Sequence, residues 1–474
     1  MNLACACRHL EEPVLSTLWE TQESPCTLLE TLPKNTWNWD NSAQGRPVVC
    51  PKSPVGETER SMIIPVQLVG DPSLEAWNRV HRYASWMRQI SVDDWGVLGE
   101  ETFRKLHINI PPGGWFPALQ GLSWCIRRSN LPHTSLFFSQ NLKRIFISIS
   151  WSKSKVPESS LPVIASIISA LPTSTLQRLS VYIEHKGIPP GYLRDSLSSI
   201  VSCFGPSFTE FSSPIPLSDA ATTHLIHLPH LHTWHTEHPP PHYSASSLPL
   251  VFPPLIQFAL GEGVAPGWLS LFKRLGDHVS SAQDTTPLSK MRGSLEFLNI
   301  GNFPDPIIDP SFTSVIQSFR NLVHLIVPVE CCDDQCVFKL DNDNVAELAM
   351  ALPRLENLLF GYPCDQNTCA TTVACLLPIS VLCTWLQSLE IHFNTTNIAG
   401  DLESVSEDSR FQELRSLQKC ALSCLDVQGI PLTVDESEYE TLARGMTVIF
   451  PNLGRCDGWD DEFNWQLAEV RELI

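Results

Sequence analysis

Seven of the fifteen histidines fall between His224 and His242, at His224, His227, His230, His232, His235, His238 and His242. Neutral imidazoles at such short spacing can ligate zinc or copper, so this segment is where chemistry would first be sought. No carboxylate or thiol pattern accompanies them, and three consecutive prolines, Pro239 to Pro241, interrupt the run. The expectation is a polar repeat surface without a metal. The cysteines point the same way. Cys331, Cys332 and Cys336, like Cys364, Cys369 and Cys375, lack the paired C-x-x-C knuckles of a structural zinc site. Others, such as Cys420, stand where a small apolar residue belongs, and free cysteine buries readily. The sequence contains no G-x-x-x-x-G-K-[ST], G-x-G-x-x-G, G-x-S-x-G or H-E-x-x-H. Those spacings cradle phosphates, present a nucleophilic serine or hold a catalytic zinc. No catalytic residue and no cofactor is assigned, and the chain is expected to bind rather than to react.

The elements that would position a binding side chain are repeats. Leu322-x-x-Leu325-x-Val327 is apolar at its first, fourth and sixth positions, and Pro310 to Phe319 ahead of it carries Phe312, Val315, Ile316 and Phe319 at helical spacing. A strand and a helix this short cannot bury their apolar faces alone, but they can when stacked beside copies of themselves. The copies include Leu295-x-x-Leu298-x-Ile300, Leu355-x-x-Leu358-x-Phe360 and Leu386-x-x-Leu389-x-Ile391. L-x-x-L-x-L is the leucine-rich-repeat signature. First positions fall at Phe103, Leu119, Leu142, Leu176, Phe208, Leu231, Leu255, Leu295, Leu322, Leu355, Leu386, Leu417 and Leu453, a mean step of about 29 residues. The units at Phe208 and Leu231 are poor matches, because Ser213 and Thr236 replace an apolar residue.

Helical spacing fills gaps at 74–90, 161–170, 192–204, 268–279 and 345–352, with Asp341 or Asn342 able to cap the last. Strand, helix and parallel strand in alternation predict an α/β fold. It is an irregular leucine-rich-repeat solenoid, a curved parallel sheet with outer helices, preceded by a short α-helical N-terminal region. Residues between the apolar strand positions should line the concave face: Phe297, Asn299, His324, Ile326, Asn357, Leu359, Glu390 and His392. Apolar side chains there are a surface for a protein partner. The asparagine ladder of regular repeats is nearly absent, Asn394 alone occupying its position.

Charge narrows the partner class. Of the net −19, the stretch Cys331 to Ile474 supplies −16, from 24 acidic and 8 basic residues. Nucleic-acid binding needs a basic footprint and is excluded as an expectation. No run reaches the ~20 apolar residues of a spanning helix, so no membrane partner is expected either. Met1 is followed by Cys5, Cys7, Arg8 and His9 rather than an apolar signal core, and the sixteen cysteines are spread through a long chain. A reduced, cytoplasmic or nuclear setting is expected.

The N-terminus differs from the rest. Asn2 to Trp19 places Leu3, Cys7, Leu10, Val14, Leu15 and Leu18 on one helical face, with a kink expected at Pro13. The run C-R-x-L-x-x-P-x-L-x-x-L-W, carried by Cys7, Arg8, Leu10, Pro13, Leu15, Leu18 and Trp19, resembles the end of the F-box in fungal, basidiomycete-type F-box/leucine-rich-repeat proteins. Leu28, Leu29, Leu32, Pro33 and Trp37 are similar to the family's next segment, and Trp77, Arg79, Tyr83, Ala84 and Arg88 to the helix that leads into its repeats. The opening L-P-x-E-[IL] of an F-box is not in the sequence.

The resemblance implies a substrate-recognition subunit of a cullin-type ubiquitin ligase. It would meet a Skp1-type adaptor through Leu10, Pro13, Leu15, Leu18 and Trp19, and a protein substrate through the repeats. A leucine-rich-repeat interaction scaffold without a ubiquitin role is the alternative, and a metal-dependent enzyme using the histidine cluster a distant third. The expected organisation is an F-box-like remnant (1–37), a polar linker (38–61), a helical lead-in (62–102) and the solenoid with its C-terminal cap (103–474).

Overall fold

The computed structural model describes residues 8–38, 67–68, 70–92, 100–111, 114–126, 128–149, 160–183, 191–236, 253–261, 291, 293–301, 310–328, 339–360, 369–391, 393–394, 397–398, 400–402, 420–422, 424–426, 439–453, 455–457, 464 and 467–468. Two compact units divide the chain, Met1–Ala221 and Thr222–Ile474.

In the first unit β1 (Thr21–Gln22) is followed by a separate antiparallel pair, β2 (Trp37–Asn38) with β3 (Gln67–Leu68). β4 (Gln89–Val92), β5 (Gly121–Ile126), β6 (Arg144–Ile149), β7 (Arg178–Ile183) and β8 (Glu210–Ser213) then pair in parallel and in sequence order, with β1 beside β4. Successive strand residues point to opposite faces. Leu122 and Trp124, Ile145 and Ile147, Leu179 and Val181 all face inward and are buried. Helices Leu161–Ser169 and Gly191–Val201 close over this core with Leu161, Ile164 and Ile168, and with Leu193, Leu197 and Val201.

The second unit repeats the plan with β9 (Thr233–Thr236), β10 (Gln257–Leu260), β11 (Phe297–Ile300), β12 (His324–Val327), β13 (Asn357–Phe360), β14 (Ser388–Ile391), β15 (Cys424–Asp426) and β16 (Arg455–Asp457). Each pairs in parallel with the next. Leu298, Leu325, Leu358 and Leu389 are consecutive partners across β11 to β14 and are buried. Helix Asn342–Ala351 begins as expected at Asp341, whose side chain accepts from Asn344 N while the Asn344 side chain accepts from Asp341 N. This reciprocal capping box satisfies two backbone donors that would otherwise be orphaned.

The chain is thus a leucine-rich-repeat solenoid, and eleven of the thirteen expected first positions stand three residues ahead of an inward strand residue. Two do not. Phe103 lies within helix Glu100–Ile108, and the strand ladder starts well before it, at β1 and β4. Met87, fully buried, holds the first position ahead of β4. The helix expected over 74–90 accordingly stops at Ala84. Val80, Ala84 and Met87 keep helical spacing, so period could not mark the stop. It is made by pairing: Arg88 N and Gln89 N both donate to Glu20 O at 2.9 Å. Leu417 lies outside the described residues. The pairing of Ser388 with Cys424 gives the role of Leu386 to Leu422 in the next repeat, and Leu422 is buried.

Elsewhere the helix Arg8–Trp19 runs through Pro13 as one element rather than breaking there. The 268–279 helix, and all but Asn38 of the expected linker, lie outside the described residues. Ser213 and Thr236 are inward and buried as their positions require, and the Ser213 hydroxyl accepts from Ile215 N at 3.0 Å, which accounts for a polar residue there.

Side chains just ahead of the strands take over the work of the missing asparagine ladder. Asn141 Nδ2 donates to Pro117 O (2.8 Å), Thr175 Oγ1 to Leu142 O (2.9 Å), Ser294 Oγ to Leu255 O (2.8 Å) and Asn452 Nδ2 to Cys420 O (2.9 Å). Each ties a repeat to the carbonyl of the one before it, satisfying turn backbone that strand pairing leaves open. Cys369, Cys375, Cys383, Cys420 and Cys456 are buried in the core. Burial pushes the Cys383 thiol up to about 12 and raises Cys375 and Cys420 as well, so these three are protonated filler.

Candidate partner-binding face

Strand pairing places the outward residues of the second unit in two rows. One runs Gln257, Phe297, His324, Asn357, Ser388; the other runs Ala259, Asn299, Ile326, Leu359, Glu390, Asp426. Seven of the eight residues expected on this face are therefore together on it, each half-buried; His392 lies outside the described residues. Neighbouring strands stand about 4.8 Å apart, so the rows are continuous surfaces.

The first row is preorganised. The Phe297 and His324 rings lie 5.8 Å apart at 51°, and Asn357 Nδ2 is 2.6 Å from His324 Nδ1. With Asn357 Nδ2 donating, His324 Nδ1 is the acceptor. The second row changes character along its length. Among the described residues Asn299 Oδ1 is buried without a hydrogen-bond partner, an acceptor left open beside Ile326. Ile326 and Leu359 form an apolar step, after which Glu390 and Asp426 are paired positions on adjacent strands. Burial, and secondarily the Asp426 charge, raise the Glu390 carboxyl to about 7. Such a carboxyl gains from a neighbouring cation, which would return it to its charged form. Asp426 is the member of this group that sequence reasoning passed over; it has the same outward parity in β15 as Glu390 has in β14.

The histidine run is drawn out rather than gathered. His224 is in helix Asp219–Ile226, His227 follows it with Nδ1 2.7 Å from Thr223 O, His230 and His232 lie in the turn, and His235 is on β9. Among the described residues no three of His, Cys, Asp and Glu come together as a metal-binding group, and His238 and His242 lie outside them.

Of the N-terminal residues matched to an adaptor contact, Pro13 and Leu18 are exposed, Leu18 by 48%, and Leu15 is half-buried. The side chain of Leu10 lies outside the described residues. Trp19 faces the chain's own helix Leu74–Ala84, its ring stacked on Tyr83 at 4.8 Å and 4°. Arg82 of the same helix lies 3.9 Å from Glu11.

No family model and no curated protein matches the sequence. Among solved structures the chain is similar to a leucine-rich-repeat protein of Leptospira interrogans, with 13% identity, a TM-score of 0.34, and coverage of 82% of this chain and 84% of that one. Independently of that likeness, the consecutive pairing of β9 through β16, with a leucine-type residue ahead of each inward strand position, makes the second unit a leucine-rich-repeat array.

Proposed function

We propose that the chain is a protein-binding leucine-rich-repeat scaffold that holds a partner on the outward face of β11 to β14. The observation behind this is the strip Phe297, Ile326 and Leu359, apolar residues on an outward sheet face, ending at the Glu390–Asp426 carboxylates. Apolar anchors beside a charged group are how interfaces concentrate their energy. The partner presents one or two apolar side chains next to a lysine or arginine. The chain supplies a surface and no reaction.

The test is to place a photo-crosslinking amino acid at Ser388, identify the captured protein, and rebuild the complex from purified components. Changing Ile326→Asp with Leu359→Asp should weaken that complex by at least about tenfold, because apolar anchors become desolvated charges. Unchanged affinity would move recognition off this face.

A second reading draws on Leu18, an exposed apolar side chain on the helix that resembles an F-box end. Here the chain is the substrate-recognition subunit of a cullin-type ubiquitin ligase in the cytoplasm or nucleus, with Leu18 meeting a Skp1-type adaptor. With Trp19 turned to Tyr83, that helix offers a small contact, and stable interfaces bury roughly 1,200 Å² or more. Binding to a purified Skp1-type adaptor should therefore be weak and lost in Leu18→Asp. Binding that is indifferent to Leu18→Asp would remove this reading.

A further inference from the structure

The outward face of the first unit carries side chains of a different kind. Arg144 and Arg178 are paired positions on β6 and β7, and both are exposed. Lys143, exposed, immediately precedes Arg144. Arg178 shares its charge with Glu210, 3.4 Å away on the next strand, in a partly exposed pair that water screens. Two residues along β6 from Arg144 stands Phe146, and four along β7 from Arg178 stands Tyr182. They are 46% and 47% exposed, against near-complete burial of the inward Ile145, Ile147 and Val181.

The flanking residues leave both rings uncovered. Phe146 is paired with Ser123 on one side and Ser180 on the other, and Tyr182 with Ser148. Small hydroxyl residues beside two half-exposed aromatic rings make a shelf on which another side chain can lie flat. Nothing in the repeat pattern calls for an aromatic residue at these outward positions; the inward set alone builds the core.

We propose that this face of β6 and β7 docks an extended, acidic and aromatic segment of a partner protein, with a carboxylate between Arg144 and Arg178 and aromatic side chains against Phe146 and Tyr182. Charge complementarity selects the anionic partner, and the paired guanidinium groups suit a carboxylate, which arginine binds in fork geometry. Strand rise sets the spacing. Phe146 lies about 7 Å and Tyr182 about 13 Å along the strand direction from the arginine row, which is two and four residues of an extended peptide. A nucleic acid is less well served. Met1–Ala221 holds 19 acidic and 19 basic residues, so it carries no net positive charge to favour a phosphate backbone.

The experiment is fluorescence anisotropy on the full chain with labelled Ser-Glu-Ser-Phe-Ser-Trp-Ser, whose Glu is two and four residues from its rings. Saturable binding is expected, weakened at least about tenfold by Arg144→Glu with Arg178→Glu, or by putting Lys for Glu in the peptide. Phe146→Ser with Tyr182→Ser should weaken it at least about fivefold. All four positions are exposed, and circular dichroism melts of the variants should match the parent. The proposal is overturned if the Lys peptide binds equally, if either double variant binds like the parent, or if no binding is seen up to about 1 mM. A short oligothymidylate that displaces the probe at lower concentration than the unlabelled peptide would also overturn it, in favour of a nucleic-acid surface.

Discussion

The two units use one construction rule and arrive at opposite surfaces. In both, a parallel strand turns alternate residues into an apolar core, and Ile145 and Ile147 on β6 do the same work as Leu325 and Val327 on β12. Outward, β6 and β7 present Arg144, Arg178, Phe146 and Tyr182, whereas β12 to β15 present Ile326, Leu359, Glu390 and Asp426. The charge divides the same way. Met1–Ala221 is balanced, with 19 acidic and 19 basic residues, while Thr222–Ile474 has 32 and 13 and so carries the whole net charge of −19. The repeat constrains inward positions because a core tolerates few shapes. It leaves outward ones free, so recognition can diverge between stretches that are structurally equivalent.

If inward positions are equivalent, truncating one should cost much the same in either unit. Trp124, the second inward residue of β5, and Trp234, the first of β9, are both fully buried. Trp124→Ala and Trp234→Ala should each remove about 3–5 kcal/mol from the unfolding transition that involves the unit concerned, read by urea titration. Phe146→Ser, on the outward face, should change it by no more than about 0.5 kcal/mol. A tryptophan loss as small as that of Phe146→Ser would break the equivalence.

The helix starts give a smaller contrast. Asp341 closes a full capping box in the second unit, while Ser160, ahead of helix Leu161–Ser169 in the first, makes no capping hydrogen bond from its side chain. Asp341→Ala should cost about 1 kcal/mol. Ser160→Ala should cost well under half of that, since no cap is lost. Equal losses in the two variants would mean that the box contributes nothing beyond an ordinary helix start.

The legible part of this fold was the part written in side-chain type. Leu295, Leu322, Leu355 and Leu386 mark their strands because the positions that pack inward must be apolar and recur at fixed spacing. The parity of those strands then located Phe297, Ile326 and Leu359 without any structure. The same parity, applied to Leu142-x-x-Ile145-x-Ile147, places Phe146 outward, but a phenylalanine among isoleucines reads as core by its type, and the residue was passed over. Met87 was missed for the converse reason: its spacing from Ala84 suits a helix, and only the carbonyl of Glu20, far away in sequence, makes it the head of a strand. Backbone pairing between distant segments leaves no mark on local periodicity. The stack of Trp19 on Tyr83 was equally invisible, since a helix face shows which residues want cover and not what covers them.

The smallest expected effect concerns the carboxylate end of the second face. Glu390, on β14, has Leu359 on one side and Asp426 on the other, and burial with the Asp426 charge raises its carboxyl from an ordinary value of 4.5 to about 7. Between those values the folded chain holds a proton that the unfolded chain has released. Stability therefore falls as pH rises, and the contribution present below 4.5 is gone once pH has passed about 7. Glu390→Gln cannot titrate, so above pH 7 it should melt higher than the parent, by only a degree or two because the carboxyl is partly open to solvent. Below 4.5 the two should converge. The first unit's Phe146→Ser, tested beside it, should leave the slope of melting temperature against pH as it is in the parent. Binding carries the same signature. A partner lysine or arginine next to Glu390 would stabilise the carboxylate, so complex formation at about pH 6 should release a proton, detected by calorimetry in two buffers of different ionisation enthalpy. Identical melting profiles for parent and Glu390→Gln, or association with no proton release, would leave the acidic end of this face without a part in recognition.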